Sequence, residues 1–162
     1  MRSFRTRRAL PALAAFALCA ASPAIVTAAA SPAAAAPTPN LTAACTSTTK
    51  GVTEVVDFSK LGGKVTIACD ATNPKTGLAA LKGAGFTYSF VPKFPGFVCR
   101  IDALPNPCNG APAKAYWSYW HATRGGKWVS SSVGAGSYHP KPGSVEGWAF
   151  GSGEKPKVAP PG

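Results

Sequence analysis

Acidic side chains and histidines are scarce in this sequence, with six Asp and Glu and two His among 162 residues. Enzymatic chemistry needs a nucleophile with its base, paired carboxylates or a metal. Here the carboxylates are scattered outside any recognisable acid/base motif, His121 lies on an aromatic strand, and His139 lies beside Pro140. The serines are plentiful but have no base at a catalytic spacing. The chain therefore reads as non-catalytic and free of a cofactor. A Cys-x-x-Cys pair is also missing, and no histidine lies near the cysteines in sequence, which argues against a metal site. No internal repeat and no sorting motif is present, and no second long apolar run follows the N-terminus. One exported domain is the expected organisation.

The N-terminus explains much of the charge. Arg2, Arg5, Arg7 and Arg8 precede an apolar run from Ala9 to Ala21, followed by Ala-x-Ala-type sites up to Ala36. This is the layout of a secretory signal, read as residues 1–30 with cleavage possible up to 36. The run is too short to span a bilayer as a helix. Arg7-Arg8 raises a twin-arginine route, although Ala9-Leu10-Pro11 fits that motif poorly. Cys19 follows Leu18 instead of the small residue that precedes a lipidated cysteine. The full chain has 17 Lys and Arg against 6 Asp and Glu; loss of the four arginines leaves 13 against 6, a net charge of +7. The lysines are spread evenly, which describes a solvated face with a mild attraction to anionic cell-wall polymers, not a nucleic-acid groove.

Residues 31–50 are rich in Ala, Pro and Thr and read as a linker. The signal's composition looks like that of an actinobacterial exported protein, so the Asn40-Leu41-Thr42 sequon is expected to be unused. Four cysteines follow, Cys45, Cys69, Cys99 and Cys108. An even number in an exported chain reads as two disulfides with three possible pairings. Cys45–Cys69 with Cys99–Cys108 is favoured, since each closes a local loop.

Residues 51–151 form the structured region. Val52, Val56 and Phe58 share a strand face with Glu54, while Thr53, Val55 and Asp57 share the other. Leu61-Gly62-Gly63 turns into Lys64–Cys69, giving a hairpin. The only helix candidate lies within Asp70–Gly85, with Asn73 or Thr76 as N-cap and Leu78 and Leu81 facing the core. Phe86, Tyr88 and Phe90 alternate as a half-buried strand, Phe97–Ile101 is the next, and Asp102–Ala113 is a proline-rich loop. The fold class predicted is α+β, with one short helix on a mixed or antiparallel sheet. Residues 152–162 read as a flexible tail.

The stretch from Tyr116 to Phe150 holds all four tryptophans, three of four tyrosines and both histidines. On a strand, Tyr116, Ser118 and Trp120 face one way and Trp117, Tyr119 and His121 the other. Arg124-Gly125-Gly126-Lys127 reads as a hairpin turn. Large rings with polar edges serve either as core or as a platform for sugars, corrins or peptides.

Four segments also carry a family resemblance. They are Thr76–Lys82, Phe97–Leu104, the Tyr-Trp-Ser-Tyr-Trp strand at Tyr116–Trp120, and the Gly-Ser-Val-Glu-Gly-Trp strand at Gly143–Trp148. Together they resemble the transcobalamin-like C-terminal domain of bacterial secreted proteins. Thr76, Ala80 and Leu81 match its helix, and Ile101, Asp102 and Leu104 its middle strand. Trp117 and Tyr119 match the aromatic strand, and Gly143, Val145 and Trp148 the closing one. Ala103 stands where that family has glycine, and Ser144 where it has aspartate. The resemblance implies a β-grasp-like fold with Trp117, Tyr119 and Trp148 in the core. Tyr116 and Trp120, with His121 and Tyr138 from the same block, are then the candidate ligand-binding residues. A corrinoid, a glycan or a peptide outside the cell is the expected ligand class. The helical domain that completes the corrin site of animal cobalamin carriers has no counterpart in this sequence. A second reading is a secreted protease inhibitor of the subtilisin-inhibitor type, with Cys99–Cys108 bracing its reactive loop.

Overall fold

A computed structural model describes residues 43–108 and 114–162. The signal segment, the sequon at Asn40 and most of the linker lie outside them. Seven strands and one α-helix follow in order: β1 (Val52–Asp57), β2 (Val65–Asp70), α1 (Gly77–Gly83), β3 (Tyr88–Val91), β4 (Phe94–Ile101), β5 (Tyr116–Ala122), β6 (Val129–Ser130) and β7 (Ser144–Gly151). Five of the strands make one mixed sheet in the order β2-β1-β7-β5-β6, in which β1 runs parallel to β7 and the other pairs are antiparallel. The hairpin β1–β2 is in register from Val52 opposite Asp70 to Asp57 opposite Val65. Its connection is a 3₁₀ turn, Ser59–Leu61, closed by Gly62 at φ 78°, a backbone conformation that costs glycine little.

Sheet-centre strands need cover on both faces, and β1 is buried at every position. On one face lies α1. Its seven residues are too few to persist alone. Thr76 caps it, its Oγ1 accepting from the Ala79 amide at 3.2 Å. Leu78 and Leu81 anchor it in a cluster with Val56, Phe58, Phe86, Ile101, Trp117, Trp148 and Phe150. Trp117 meets Phe58 and Phe150 edge-on, at 5.3 and 5.5 Å between ring centres, and its indole donates to the Leu104 carbonyl at 3.1 Å.

The other face is smaller in apolar area. Val55, Ala122 and Val145 form its core, with Val65, Ile67 and Trp128 around them. Here the structure departs from the flexible tail read at residues 152–162, because that segment lies against this face. Pro156 and Pro160 are buried. Trp120 Nε1 and Ser118 Oγ both donate to the Glu154 carbonyl, at 3.0 and 2.7 Å. Trp128 Nε1 donates to the Val158 carbonyl at 2.8 Å, and the Lys157 amide donates to Asp57 Oδ2 at 2.8 Å. A proline-containing segment with no helix or strand pattern can still pack where side chains satisfy its carbonyls. The linker boundary moves for a similar reason: Cys45 is buried, and its amide donates to Thr53 Oγ1 at 3.0 Å.

The disulfides join Cys45 to Cys69 and Cys99 to Cys108. Strands β3 and β4 form a separate two-stranded sheet with register shifts at Ser89–Val91, not part of the main one. Phe86 is buried and Tyr88 half-buried, but Phe90 and Phe94, toward the hairpin tip, are 37 % and 55 % exposed.

An exposed platform ring at Trp120 would be close to neutral on removal. With its indole engaged by residues 118 and 154, Trp120→Ala is expected to cost about 2–3 kcal/mol. Urea unfolding followed by circular dichroism checks this, and a change within 0.5 kcal/mol would return Trp120 to the surface.

Candidate functional site

The alternation of β5 divides the aromatic block as its parity predicts. Trp117, Tyr119 and His121 point to the helix side, and Ser118 and Trp120 to the side covered by residues 152–162. The loop before β7 is tied to the start of α1. The Gly77 amide donates to the Tyr138 carbonyl, the Leu78 amide to that of Ala135, and His139 Nδ1 lies 2.7 Å from the Lys75 carbonyl. These bonds hold the Tyr138 ring over His121, stacked at 4.6 Å and 16°. Tyr138 also meets Tyr119 edge-on at 5.7 Å, and Tyr119 leans on Trp148 at 4.8 Å. A ladder of rings thus runs from the core at Trp148 to the surface at His121.

At its surface end is a groove of about 620 Å³. Arg124, Lys127 and Lys141 line it together with His121, Tyr138 and Ser144, and none of its lining residues is acidic. Arg124 is held in place: one guanidinium nitrogen donates to the main-chain oxygens of Cys45 and Ser47, the other to that of Gly162 at 2.7 Å. Burial lowers the pKa of His121, which favours the neutral ring. The groove's charge therefore comes from the arginine and two lysines. The Ser144 hydroxyl on its wall is buried without a hydrogen-bond partner.

Beneath the ladder lies a feature that sequence reading missed. Glu54 of β1 and Glu146 of β7 are register partners across the parallel pair, and both are 0 % exposed. His121 is in turn the register partner of Glu146 on β5. Neither carboxylate makes a hydrogen bond of normal geometry, nor do the nearby Tyr119 hydroxyl and Trp148 indole. Burial pushes the Glu146 carboxyl up to about 7, with partial relief from the Tyr119 hydroxyl and Glu54. Burial, and then the charge of Glu146, pushes Glu54 well above the ordinary carboxylate range. Burial followed by Glu146 likewise raises the Tyr119 and Tyr138 phenols. Two carboxyls buried on neighbouring strands in an apolar site favour their protonated forms. The signal was present in sequence as single acidic residues on otherwise apolar strand faces, Glu54 with Val52 and Val56, and Glu146 with Trp148 and Phe150. Nothing local said that the two strands were neighbours.

The structure brings His121 and Tyr138 together and leaves the other two candidates elsewhere. Trp120 is covered by the 152–162 segment. Tyr116 lies 6.4 Å from the Phe97 ring and lines a second groove of about 400 Å³. Arg124, Lys127 and Lys141, which complete the His121–Tyr138 site, were legible only as turn and loop residues. Among the described residues no three His, Cys, Asp or Glu side chains gather as a metal site, and no helix is long and apolar enough to cross a membrane.

The described residues form an α+β arrangement of one short helix, a mixed five-stranded sheet and a two-stranded sheet. A family model described as the SCO2322-like domain matches residues 109–161, a stretch that carries β5, β6, β7, the cationic groove's side chains from His121 to Ser144, and most of the docked segment. The chain is similar to that domain over this part. No curated protein and no solved structure matches it.

The acid pair fixes a direction for stability against pH. A carboxyl raised on folding contributes fully below its unfolded pKa near 4.5, and that contribution is lost as pH rises through about 7. The domain is therefore expected to be more stable at pH 5 than at pH 8, by an amount on the order of 3 kcal/mol from Glu146, and to melt correspondingly higher. The lowered pKa of half-exposed His121 opposes this only weakly, at the acid end. Thermal melts of the native chain and of Glu146→Gln measure it: the variant should have a flattened profile, and a native chain more stable at pH 8 would contradict protonation of the buried carboxyl.

Proposed function

We propose that this chain is a secreted, non-catalytic binding module whose ligand is anionic and presents a flat face to the His121–Tyr138 stack. The observation that carries this reading is the groove itself, with Arg124, Lys127 and Lys141 around two stacked rings and no carboxylate in the wall. Stacked rings offer apolar contact, and fixed cations select charge. An acidic glycan or an acidic peptide suits such a surface better than a neutral one. Glu54 and Glu146 are paired carboxylates, yet both are shut in the core and neither lines the groove. Their role in this reading is structural.

Two disulfides fit an oxidising, extracellular setting. The strand order, with first and last strands parallel at the centre and the helix after the first hairpin, supports a β-grasp-like architecture of the transcobalamin-like kind. On that resemblance a corrinoid joins the ligand classes to be screened. The inhibitor reading finds less support. The disulfide-braced loop turns tightly at Asp102 and Ala103, both at positive φ, with Ile101 and Leu104 bonded across it. A protease cleft takes an extended strand, not a closed turn.

Tryptophan-fluorescence titration with acidic oligosaccharides, acidic peptides and corrinoids tests the proposal. Binding should weaken with salt and fall at least about tenfold in Lys127→Glu/Lys141→Glu, a prediction made from the reversal of two positive charges. Both lysines are exposed, so the variant should keep its melting temperature. Ligand binding indifferent to salt and to both lysines would place the site elsewhere.

A further inference from the structure

The face opposite α1 is built like a peptide-recognition site. Five donors on the sheet and its turns point at main-chain oxygens of a single segment. Trp120 Nε1 and Ser118 Oγ meet Glu154, Trp128 Nε1 meets Val158, the Gly125 amide meets the Pro161 carbonyl at 2.9 Å, and Arg124 meets Gly162. One acceptor, Asp57 Oδ2, takes the Lys157 amide. The segment's own side chains contribute little to this: Lys155, Lys157, Val158 and Ala159 are exposed, whereas Pro156 and Pro160 are buried. The sheet is cut away to admit the proline. At Gly147 in the middle of β7, an added Cβ would lie 2.8 Å from Pro156 Cγ and 2.7 Å from the Trp128 ring.

Indole N–H groups donating to carbonyls, with prolines seated against aromatic rings, is the way proline-containing segments are bound in general. The prolines bring no N–H that needs a partner, and their fixed φ reduces the ordering cost. Contacts made to the main chain and to two prolines select for a pattern, Pro-x-x-x-Pro, and tolerate changes at the positions between.

We propose that this face is a recognition site for proline-containing peptide, occupied in cis by residues 154–162, and that it accepts the same sequence in trans. The site is separate from the cationic groove, except that Arg124 borders both, and the inference does not rest on the function proposed for that groove.

The test uses the full chain with a specific protease site inserted at exposed Ser152, cut after folding so that the segment is held by its contacts alone. On dilution the cut segment should leave, and a labelled peptide Glu-Lys-Pro-Lys-Val-Ala-Pro-Pro-Gly should replace it. Its arrival is read by fluorescence anisotropy and by renewed protection of the Trp120 and Trp128 indole N–H signals. A peptide with both Pro156→Ala and Pro160→Ala should bind at least about tenfold more weakly, the loss expected from two anchors. If the cut protein unfolds and the peptide restores it, the proposal also stands. A cut segment that never exchanges, an unfolded product that peptide fails to rescue, or a dialanine peptide that binds equally well would each reduce the segment to an ordinary part of the core.

Discussion

Everything in this domain depends on the parallel pairing of β1 with β7. It joins strands some ninety residues apart in the chain, and it places both at the centre of the sheet with no free edge. The helix side is closed by α1 and the aromatic cluster, the other by the 152–162 segment. The same pairing forces Glu54 beside Glu146. A shift of one residue along either strand would send its carboxylate to the opposite face, where Val55, Val145 and Trp128 leave it no better company. The register and the buried acid pair therefore stand or fall together.

The acid pair also shapes the groove above it. Ionised, it would place negative charge beneath Tyr119 and Tyr138, on the register row that ends at His121. Below about pH 7 burial keeps the Glu146 carboxyl protonated, and Glu54 is raised as well, so there the groove's field is set by Arg124, Lys127 and Lys141. The His121 ring, itself kept from protonation by burial, adds a stacking surface and no charge.

Much of the local structure was legible in the sequence. Alternation at Val52–Phe58 gives β1 with its correct faces, Thr76 caps the helix as its side chain allows, and the parity of Tyr116–His121 puts its rings on two faces. The pairing that local spacing favours among the three possible is the one formed. What could not be read was long-range. No local pattern pairs β1 with β7, so two lone glutamates on apolar faces did not register as neighbours. Phe90 alternates like a core residue but sits near a hairpin tip, and the β3–β4 pair leaves the main sheet. Arg124 and Lys127 look like any hairpin-turn residues until Lys141 arrives from another loop.

The segment 152–162 shows most clearly why composition misleads. Proline, glycine and lysine rule out a helix or strand, and from there disorder is the natural step. Yet lack of a repeating hydrogen-bond pattern is not lack of partners. A stretch with three prolines offers carbonyls in excess of amides, and it packs wherever a surface has donors to spare. The outward face of β5 has such a surplus, because Ser118 and Trp120 carry side-chain donors on strands whose backbone groups are already paired. Trp128 adds a third from the turn beyond β5. Of the rings that looked from sequence like a platform for an outside ligand, Trp120 is turned toward the protein's own chain, and next to it on the opposite face His121 meets Tyr138 at the cationic groove.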